Sequence, residues 1–251
     1  MEYSEASLQF FEFDCPFDHL DQRSERDLFS AILHLRKQGY LSRHQYGVLP
    51  TDTYDFIGKH YGIVTENSDG PLVLMSYRTI TLERCQEFNL SLPIENILKS
   101  ASAIEHLCFL EKLKGKSINE NRPLVYTSSW TVSPLLREQP KTYKKVYEFL
   151  TAMNVHSFWE NQSQIKLACG SLRLKTHEYI QWLGYKPFQD REKALPCFKQ
   201  FNLNNEEVIA LSLENHSVDS IKIAENYNFQ WKNRVKINRP AKSNSSIVKV
   251  A

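Results

Sequence analysis

The sequence predicts an α/β protein, a mixed β-sheet flanked by helices on both faces. Three observations point there. The spacing of apolar residues switches repeatedly between the two-residue period of strands and the three-and-four period of helices. The resulting elements run strand, helix, hairpin, helix, strand, helix, strand, helix, strand, an alternation that covers a sheet on both sides. No self-similar period of about 20 to 50 residues is visible, so repeat architectures are set aside.

Each element has its own signal. Leu8 to Phe13 are aromatic and partly alternating, which suits a first strand, and Asp14 and Pro16 end it. From Ser24, the residues Leu28, Ala31, Ile32, Leu35 and Gly39 fall three and four apart and predict an amphipathic helix. Ser24 with Asp27 has the form of a capping box, and Gly39 offers a C-terminal stop. Residues 41–58 hold Gly47, Pro50 and two aspartates with little periodicity; a long aromatic loop of this kind is read as functional. Residues 60–64 and 72–82 predict two strands joined through Asn67-Ser68-Asp69-Gly70, a hairpin. Further on come a helix over 94–113 interrupted near 100–102, a strand over 123–132, a helix over 141–156, a strand over 165–169, a helix over 176–183 stopped by Gly184, and a strand over 208–213. From Trp231 lysine and arginine alternate with asparagine, serine and proline, the pattern of a poorly ordered tail.

Composition excludes several classes. A chain of 251 residues can bury a substantial core without disulfides or metals, and one domain is preferred over two small ones. The 31 Lys and Arg against 29 Asp and Glu leave a formal charge of +2, so no global field marks nucleic acid as a partner. Cys15, Cys85, Cys108, Cys169 and Cys197 are odd in number and form no Cys-x-x-Cys pair. Neither a disulfide framework nor a zinc site is expected, and reduced, mostly buried thiols are. Met1-Glu2-Tyr3-Ser4-Glu5 carries acids where a signal peptide carries positive charge, and no apolar run approaches the roughly 20 residues of a membrane span. A cytoplasmic protein without a transmembrane segment is expected. There is no Gly-x-Ser-x-Gly elbow, phosphate-loop motif or His-Glu-x-x-His, and Cys169 within a predicted strand reads as inert.

What a plain core does not require is the charged and aromatic series Arg36 and Tyr40, then Asp52, Tyr54 and Asp55, then His60, then Arg78. Carboxylates among aromatic neighbours that exclude water suit the binding or deprotonation of an ammonium group. An Asx turn, with one aspartate bonded to nearby backbone, is the structural alternative. Arg36 falls at the end of a predicted helix, where the dipole favours a cation. Arg78 falls in a largely apolar strand and needs a partner, either the aspartates or a substrate carboxylate.

The order and spacing of this series resemble the N-terminal half of the acyl-homoserine-lactone synthases, long-chain N-acyl amino acid synthases and exosortase (PEP-CTERM)-associated acyltransferases of the GNAT superfamily. A weaker echo runs through Leu92-Pro93-Ile94-Glu95, Trp130-Thr131-Val132 and Gly184-Tyr185-Lys186-Pro187-Phe188 to Leu195-Pro196, so the resemblance spans roughly residues 25–200. It implies a GNAT-like splayed sheet over residues 1–215, with 216–251 a peripheral, basic and partly disordered segment. It also implies transfer of a fatty acyl group from a thioester donor to the amine of a small acceptor, with no permanently bound cofactor and no metal. Asp52 and Asp55 would then serve the acceptor amine, and Arg36, Tyr40, Tyr54, His60, Arg78, Ser128 and Trp130 would shape the substrate pocket.

Two departures bear on the chemistry. Where the superfamily cradles the CoA pyrophosphate in a Gly-rich loop at a helix N-terminus, this chain has Arg137-Glu138-Gln139-Pro140-Lys141-Thr142, without glycine and with a proline that lacks an amide hydrogen. Lys141, Lys144 and Lys145 are the cations left to meet the donor, a solvated helix face being the alternative. Acyl carrier protein, which docks on basic surface, is therefore preferred to acyl-CoA. Where lactone synthases have Glu-x-Ser-Arg, this chain has Tyr126-Thr127-Ser128-Ser129. Tyr126 can donate a proton to a leaving thiolate but is a poor base, its ordinary pKa being about 10. A GNAT-like binding or sensor module that has lost turnover is the competing expectation.

Overall fold

The structure is a computed structural model of the chain that describes residues 8–44, 48–67, 70–136, 139–161 and 164–239. In chain order its elements are β1 (Gln9–Asp14), α1 (Arg23–Leu41), α2 (Tyr54–Ile57), β2 (Lys59–Asn67), β3 (Gly70–Thr81), α3 (Leu82–Glu87), α4 (Pro93–Ser100), α5 (Ile104–Asn119), β4 (Leu124–Val132) and α6 (Pro140–Glu160). Then follow β5 (Ile165–Ser171), α7 (Thr176–Trp182), β6 (Lys186–Pro187), β7 (Gln189–Asp190), β8 (Lys193–Ala194), β9 (Phe198–Gln200), β10 (Glu206–Leu213), α8 (Val218–Glu225), α9 (Asn228–Lys232) and β11 (Val235–Ile237).

The main sheet runs β11-β1-β2-β3-β4-β5-β10-β6, with β9 also on β10. Its β11/β1 and β4/β5 pairs are parallel, and the others are antiparallel. Apolar residues of α1 pack over Phe11, Phe13, Val64 and Val73, and those of α4 and α5 pack over Leu124, Leu167 and Ala210. A second core, beneath α6, α8 and α9, is built on Phe10, Ile63, Leu74 and Tyr77. Helices thus cover both faces, as the alternation predicted.

Two irregularities create the functional space. The parallel pairing of β4 with β5 covers Leu124↔Ile165 to Tyr126↔Leu167, yet β4 continues to Val132 and β5 to Ser171. Beyond Tyr126 the strands part, which is the predicted splay. On its other edge β4 is bulged: Arg78 pairs with Ser128 and Ser76 with Thr131, so Ser129 and Trp130 stand opposite Tyr77 alone. Ser129 takes the left-handed conformation at φ 58, and a bulge of this form turns backbone out of the ladder.

Several expectations need correction. Residues 216–237 are not peripheral. Ser217 caps α8 by accepting the Ser220 amide, and α8 and α9 pack on α6. Trp231 sits in a column of rings stacked in the order Trp130, Tyr77, Tyr61, Trp231, His156. Arg234, predicted to lie in a tail, donates to Glu12 at 2.8 Å, and β11 adds to the sheet edge. These contacts are long-range, and the polar composition of the segment hides them. Residues 240–251 lie outside the described residues.

The capping box does not form either, since α1 starts one residue before Ser24, whose hydroxyl bonds Glu25. Gly39 does not stop α1, which runs on to Leu41; a Cβ at Gly39 would stand 2.4 Å from Thr131 Cγ2, so glycine here lets the helix lie directly on β4. Gly184, at φ 112, does end α7 as expected. Of the cysteines, Cys15 and Cys85 are buried while Cys108 and Cys197 are exposed, so mostly buried thiols are not what the fold provides.

Candidate active site

The divergence of β4 from β5 opens a cavity of about 750 Å³, bounded by the end of α1, the loop before α2, the bulged half of β4 and the first turns of α6 and α7. Of the residues singled out from sequence, Tyr40, Asp52, Tyr54, Asp55, Arg78, Tyr126, Ser128 and Trp130 line it.

Asp55 organises one end. It falls in the first turn of α2, where its Oδ2 accepts the Asp52 amide at 2.9 Å, the local turn that was the structural alternative. Its Oδ1 accepts from Arg36 Nη1 and, at 2.5 Å, from Arg78 Nη1. Burial works against this charge, but the guanidiniums of Arg78 and Arg36 overcome it and hold the carboxyl well below the usual carboxylate range. Arg36 and His60 do not line the cavity. Both are fully buried behind Asp55, with His60 Nδ1 3.1 Å from Arg36 Nη2 and Nε2 2.7 Å from the Asp55 carbonyl. Burial, then the charge of Arg36, pushes the His60 pKa down to about 3. The neutral ring therefore accepts from Arg36 at Nδ1 and donates to Asp55 from Nε2. Both residues meet Asp55 from behind and are not among the residues that line the cavity.

Asp52 differs from Asp55 in exposure. Its side chain is 50 % exposed against 1 %. It receives Arg78 in a fork, Nη1 to Oδ1 at 2.5 Å and Nη2 to Oδ2 at 3.1 Å, while Arg78 Nη2 also donates to Ser128 Oγ at 3.2 Å. Arg78 thereby has the partners that its buried strand position demanded. Tyr54 is pinned by its hydroxyl, which donates to the Ser91 carbonyl and accepts from Asn96 Nδ2, both at 2.9 Å; its ring lies 5.8 Å from the Arg78 guanidinium carbon.

At the floor, where β4 and β5 part, Tyr126 bonds Cys169. Burial, reinforced by Cys169, pushes the phenol pKa well above its ordinary value, and burial pushes the thiol up to about 12. Tyr126 therefore keeps its proton and can only donate it. The Trp130 indole stacks on Tyr77 at 5.1 Å, and its Nε1 is buried without a partner.

The donor side differs from expectation. Lys141, Lys144 and Lys145 do not line the cavity. Lys141 and Lys144 are exposed on α6, and the Lys145 ammonium lies over the rings of Tyr227 at 5.1 Å and Phe149 at 5.7 Å. The wall of α6 that does face the cavity is Tyr143, Tyr147 and Leu150, three and four apart. Arg137 and Glu138 lie outside the described residues.

A second polar end escaped the sequence reading. Glu206, buried at the start of β10, accepts from Ser171 Oγ and from Arg173 Nη2 at 2.9 Å, and its Oε2 lies 3.4 Å from His44 Nδ1. Glu206 follows Asn204-Asn205 and His44 falls within the aperiodic stretch 41–58, so no periodicity marks either. Among the described residues no helix is long and apolar enough to cross a membrane, and no group of three or more His, Cys, Asp and Glu could hold a metal ion.

No protein-family model matches the sequence, and no curated protein matches it. Solved structures do. The N-acyl amino acid synthase FeeM from uncultured soil microbes superposes over 84 % of this chain and 93 % of its own, with a TM-score of 0.51 at 13 % identity. The acyl-homoserine-lactone synthase LasI covers 82 % and 88 % at a TM-score of 0.48 and 15 % identity. An acyl-CoA N-acyltransferase from Pseudomonas aeruginosa covers 82 % and 99 % at a TM-score of 0.46 and 12 % identity. The chain has a GNAT-like fold: a mixed, splayed sheet flanked by helices, similar over most of its length to that of the N-acyl amino acid synthase.

Proposed function

We propose that the protein is an N-acyltransferase that moves a fatty acyl group from a thioester to the amine of a small acceptor such as an amino acid or its derivative. The observation that carries this reading is the half-open Asp52 carboxylate, locked by Arg78 beside the bulged half of β4 where the sheet splays. A cationic amine entering the cavity finds a fixed anion there. Arg78, together with Arg36, His60 and Asp55 behind it, holds that anion in place.

The donor thioester lies between β4 and β5, its acyl chain against Trp130, Tyr143, Tyr147, Tyr179, Leu150 and Ile180. Backbone amides freed at the Ser129–Trp130 bulge polarise the thioester carbonyl. The acceptor's ammonium first gives up a proton to solvent; the amine nitrogen then bonds the acyl carbon and releases its second proton to solvent as the carbon–sulfur bond breaks, and the leaving thiolate takes the Tyr126 proton, which solvent restores. Acyl carrier protein is the preferred donor, because α6 opens on Pro140 without glycine. Lys141 and Lys144 are the docking cations on its exposed face, with Lys145 beside them. The cytoplasm is the proposed compartment.

The purified protein with long-chain acyl carrier protein, acyl-CoA and pooled amino acids should give N-acyl products by mass spectrometry. The tyrosine at position 126 and the glycine-free loop support a second reading, a ligand-binding module without turnover. Thermal stabilisation by thioester or acceptor with no product after long incubation would select that reading over transfer.

A further inference from the structure

The cavity carries more positive charge than its own carboxylates answer. Asp52 and Asp55 are met by Arg78 and, from behind, Arg36, while Glu206 accepts from Ser171 and Arg173. Arg43 and Lys175 line the same cavity, exposed at its rim, and neither has an anionic partner among the described residues. The fold brings these two cations to one end. His44, next to Arg43, accepts at Nδ1 from Arg173 Nη2 at 3.4 Å, and Arg173 stands two residues before Lys175. That bond also fixes what His44 offers. With Nδ1 accepting, the neutral ring carries its hydrogen on Nε2, which has no partner among the described residues. Burial, with Arg173, outweighs the nearby Glu206 carboxylate and leaves the imidazole pKa below its ordinary value, so the ring keeps this form near neutral pH. A protonated ring would donate from Nε2 as well.

We infer that Arg43, Lys175 and the Nε2 hydrogen of His44 form a subsite for an oxyanion carried by one of the substrates, a role that rests on the acyl-transfer reading. Two parts of that reaction bear such a group: the carboxylate of an amino acid acceptor, and the phosphate of the pantetheine arm that carrier protein and CoA share. The recognition is the same for both, charge-assisted bonds from two cations and one N–H donor to oxygen. Arg78 cannot supply it, because both of its terminal nitrogens are taken by Asp52, Asp55 and Ser128. Glu206 does not oppose it, because Arg173 and Ser171 hold its oxygens. The cavity is therefore polar in two senses, with the half-exposed Asp52 carboxylate at one end for a cation and the Arg43 end for an anion. As Arg43 and Lys175 are exposed, their attraction is screened by salt, which gives the subsite a signature apart from shape.

The test uses the full chain and two matched pairs of substrates: an amino acid beside its primary amide as acceptor, and an acyl-phosphopantetheine beside the same acyl-pantetheine as donor. The wild type should show a KM about tenfold lower for the charged member of one pair, and that ratio should shrink as salt rises. The pair that shows it identifies the source of the oxyanion. Arg43→Gln with Lys175→Gln should bring the ratio close to one. His44→Phe should reduce it, and His44→Gln, which keeps an N–H donor, should retain most of it, a contrast that a purely structural loss does not show. A wild type with equal KM within both pairs, or a folded double variant that keeps the wild-type ratio, overturns the subsite. A wild type that forms no product with any pair overturns the transfer reading instead. Calorimetric Kd values for the same compounds then decide the subsite: tighter binding of a charged member that the double variant loses supports it, and equal Kd within both pairs overturns it.

Discussion

Replacing Asp55 by asparagine leaves the buried guanidiniums of Arg36 and Arg78 without their shared anion. The expected loss of stability is about 3–5 kcal/mol at pH 7, the range for breaking a buried ion pair from one side. Because the Asp55 pKa is lower in the folded than in the unfolded chain, its contribution is complete above the ordinary carboxylate range and is lost as pH falls through the folded value. The wild-type advantage over Asp55→Asn in urea melts should therefore shrink from pH 7 toward pH 3, and a constant difference would refute the assignment. Lys166 gives a slope of the same sign in a different pH window. It is fully buried on β5, donates to the Asn154 carbonyl at 2.9 Å and Ser157 Oγ at 3.0 Å, and burial pushes its pKa from 10.5 down to about 7. Between those values the unfolded chain holds a proton that the folded chain does not, so this group makes stability rise with pH by up to ~1.4 kcal/mol per unit. Lys166→Met should remove that slope and raise stability at pH 7; an unchanged slope would contradict it. Lys166 shows how far residues alone inform: its strand was legible, but its burial without an ion pair among the described residues belongs to the packed interior. Arg78 is the reverse case, since a guanidinium in an apolar strand announced its need for a partner.

Gly39 and the β4 bulge show what is legible in an element and what is not. The period of α1 was plain, but the same glycine fits a helix stop or a helix contact, and only the partner strand decides. Gly39→Leu should push α1 off Thr131 and displace Tyr40 and His44 from the cavity, lowering kcat/KM well beyond its effect on the melting temperature; a variant of normal activity would break that link. The bulge at Ser129 left no mark in the sequence because any residue can be forced to positive φ when both flanking pairs are fixed. The elements after residue 216 were missed for a related reason. Their helices are short and their contacts distant, so local periodicity carries little. Trp231→Ala should cost about 3–5 kcal/mol and about 10 °C of melting temperature, since it removes the ring between Tyr61 and His156. A shift of a degree or two would mean that the C-terminal elements are peripheral after all.

At the scale of the whole molecule, the alternation of periods was enough to state a mixed sheet covered on both faces, and the resemblance carried by the motif order was enough to expect that the sheet is splayed. The arrangement of the cavity was not, because one of its polar ends, His44 with Glu206, brings together segments more than a hundred residues apart, while Asp52 with Arg78 at the other end is comparatively local. The donor lysines failed to line it for a geometric reason: on α6 the face spaced as Tyr143, Tyr147 and Leu150 turns inward and Lys141 and Lys144 turn out. Their remaining proposed role is docking. Acyl carrier protein should exceed acyl-CoA by about tenfold in kcat/KM, roughly 1.4 kcal/mol of transition-state binding, and the gap should narrow with salt. Lys141→Glu with Lys144→Glu should close it, and equal use of both donors by the wild type would return CoA to first place. The most direct test of the central claim is the acceptor dependence of N-acyl product formation in Asp52→Asn beside the wild type. Because the Asp52 side chain is half exposed, its loss should leave the melting temperature within a few degrees and the donor KM unchanged, while kcat/KM for the amine falls about 100-fold. An Asp52→Asn protein that acylates the amine at the wild-type rate would contradict the site on which the proposed function stands.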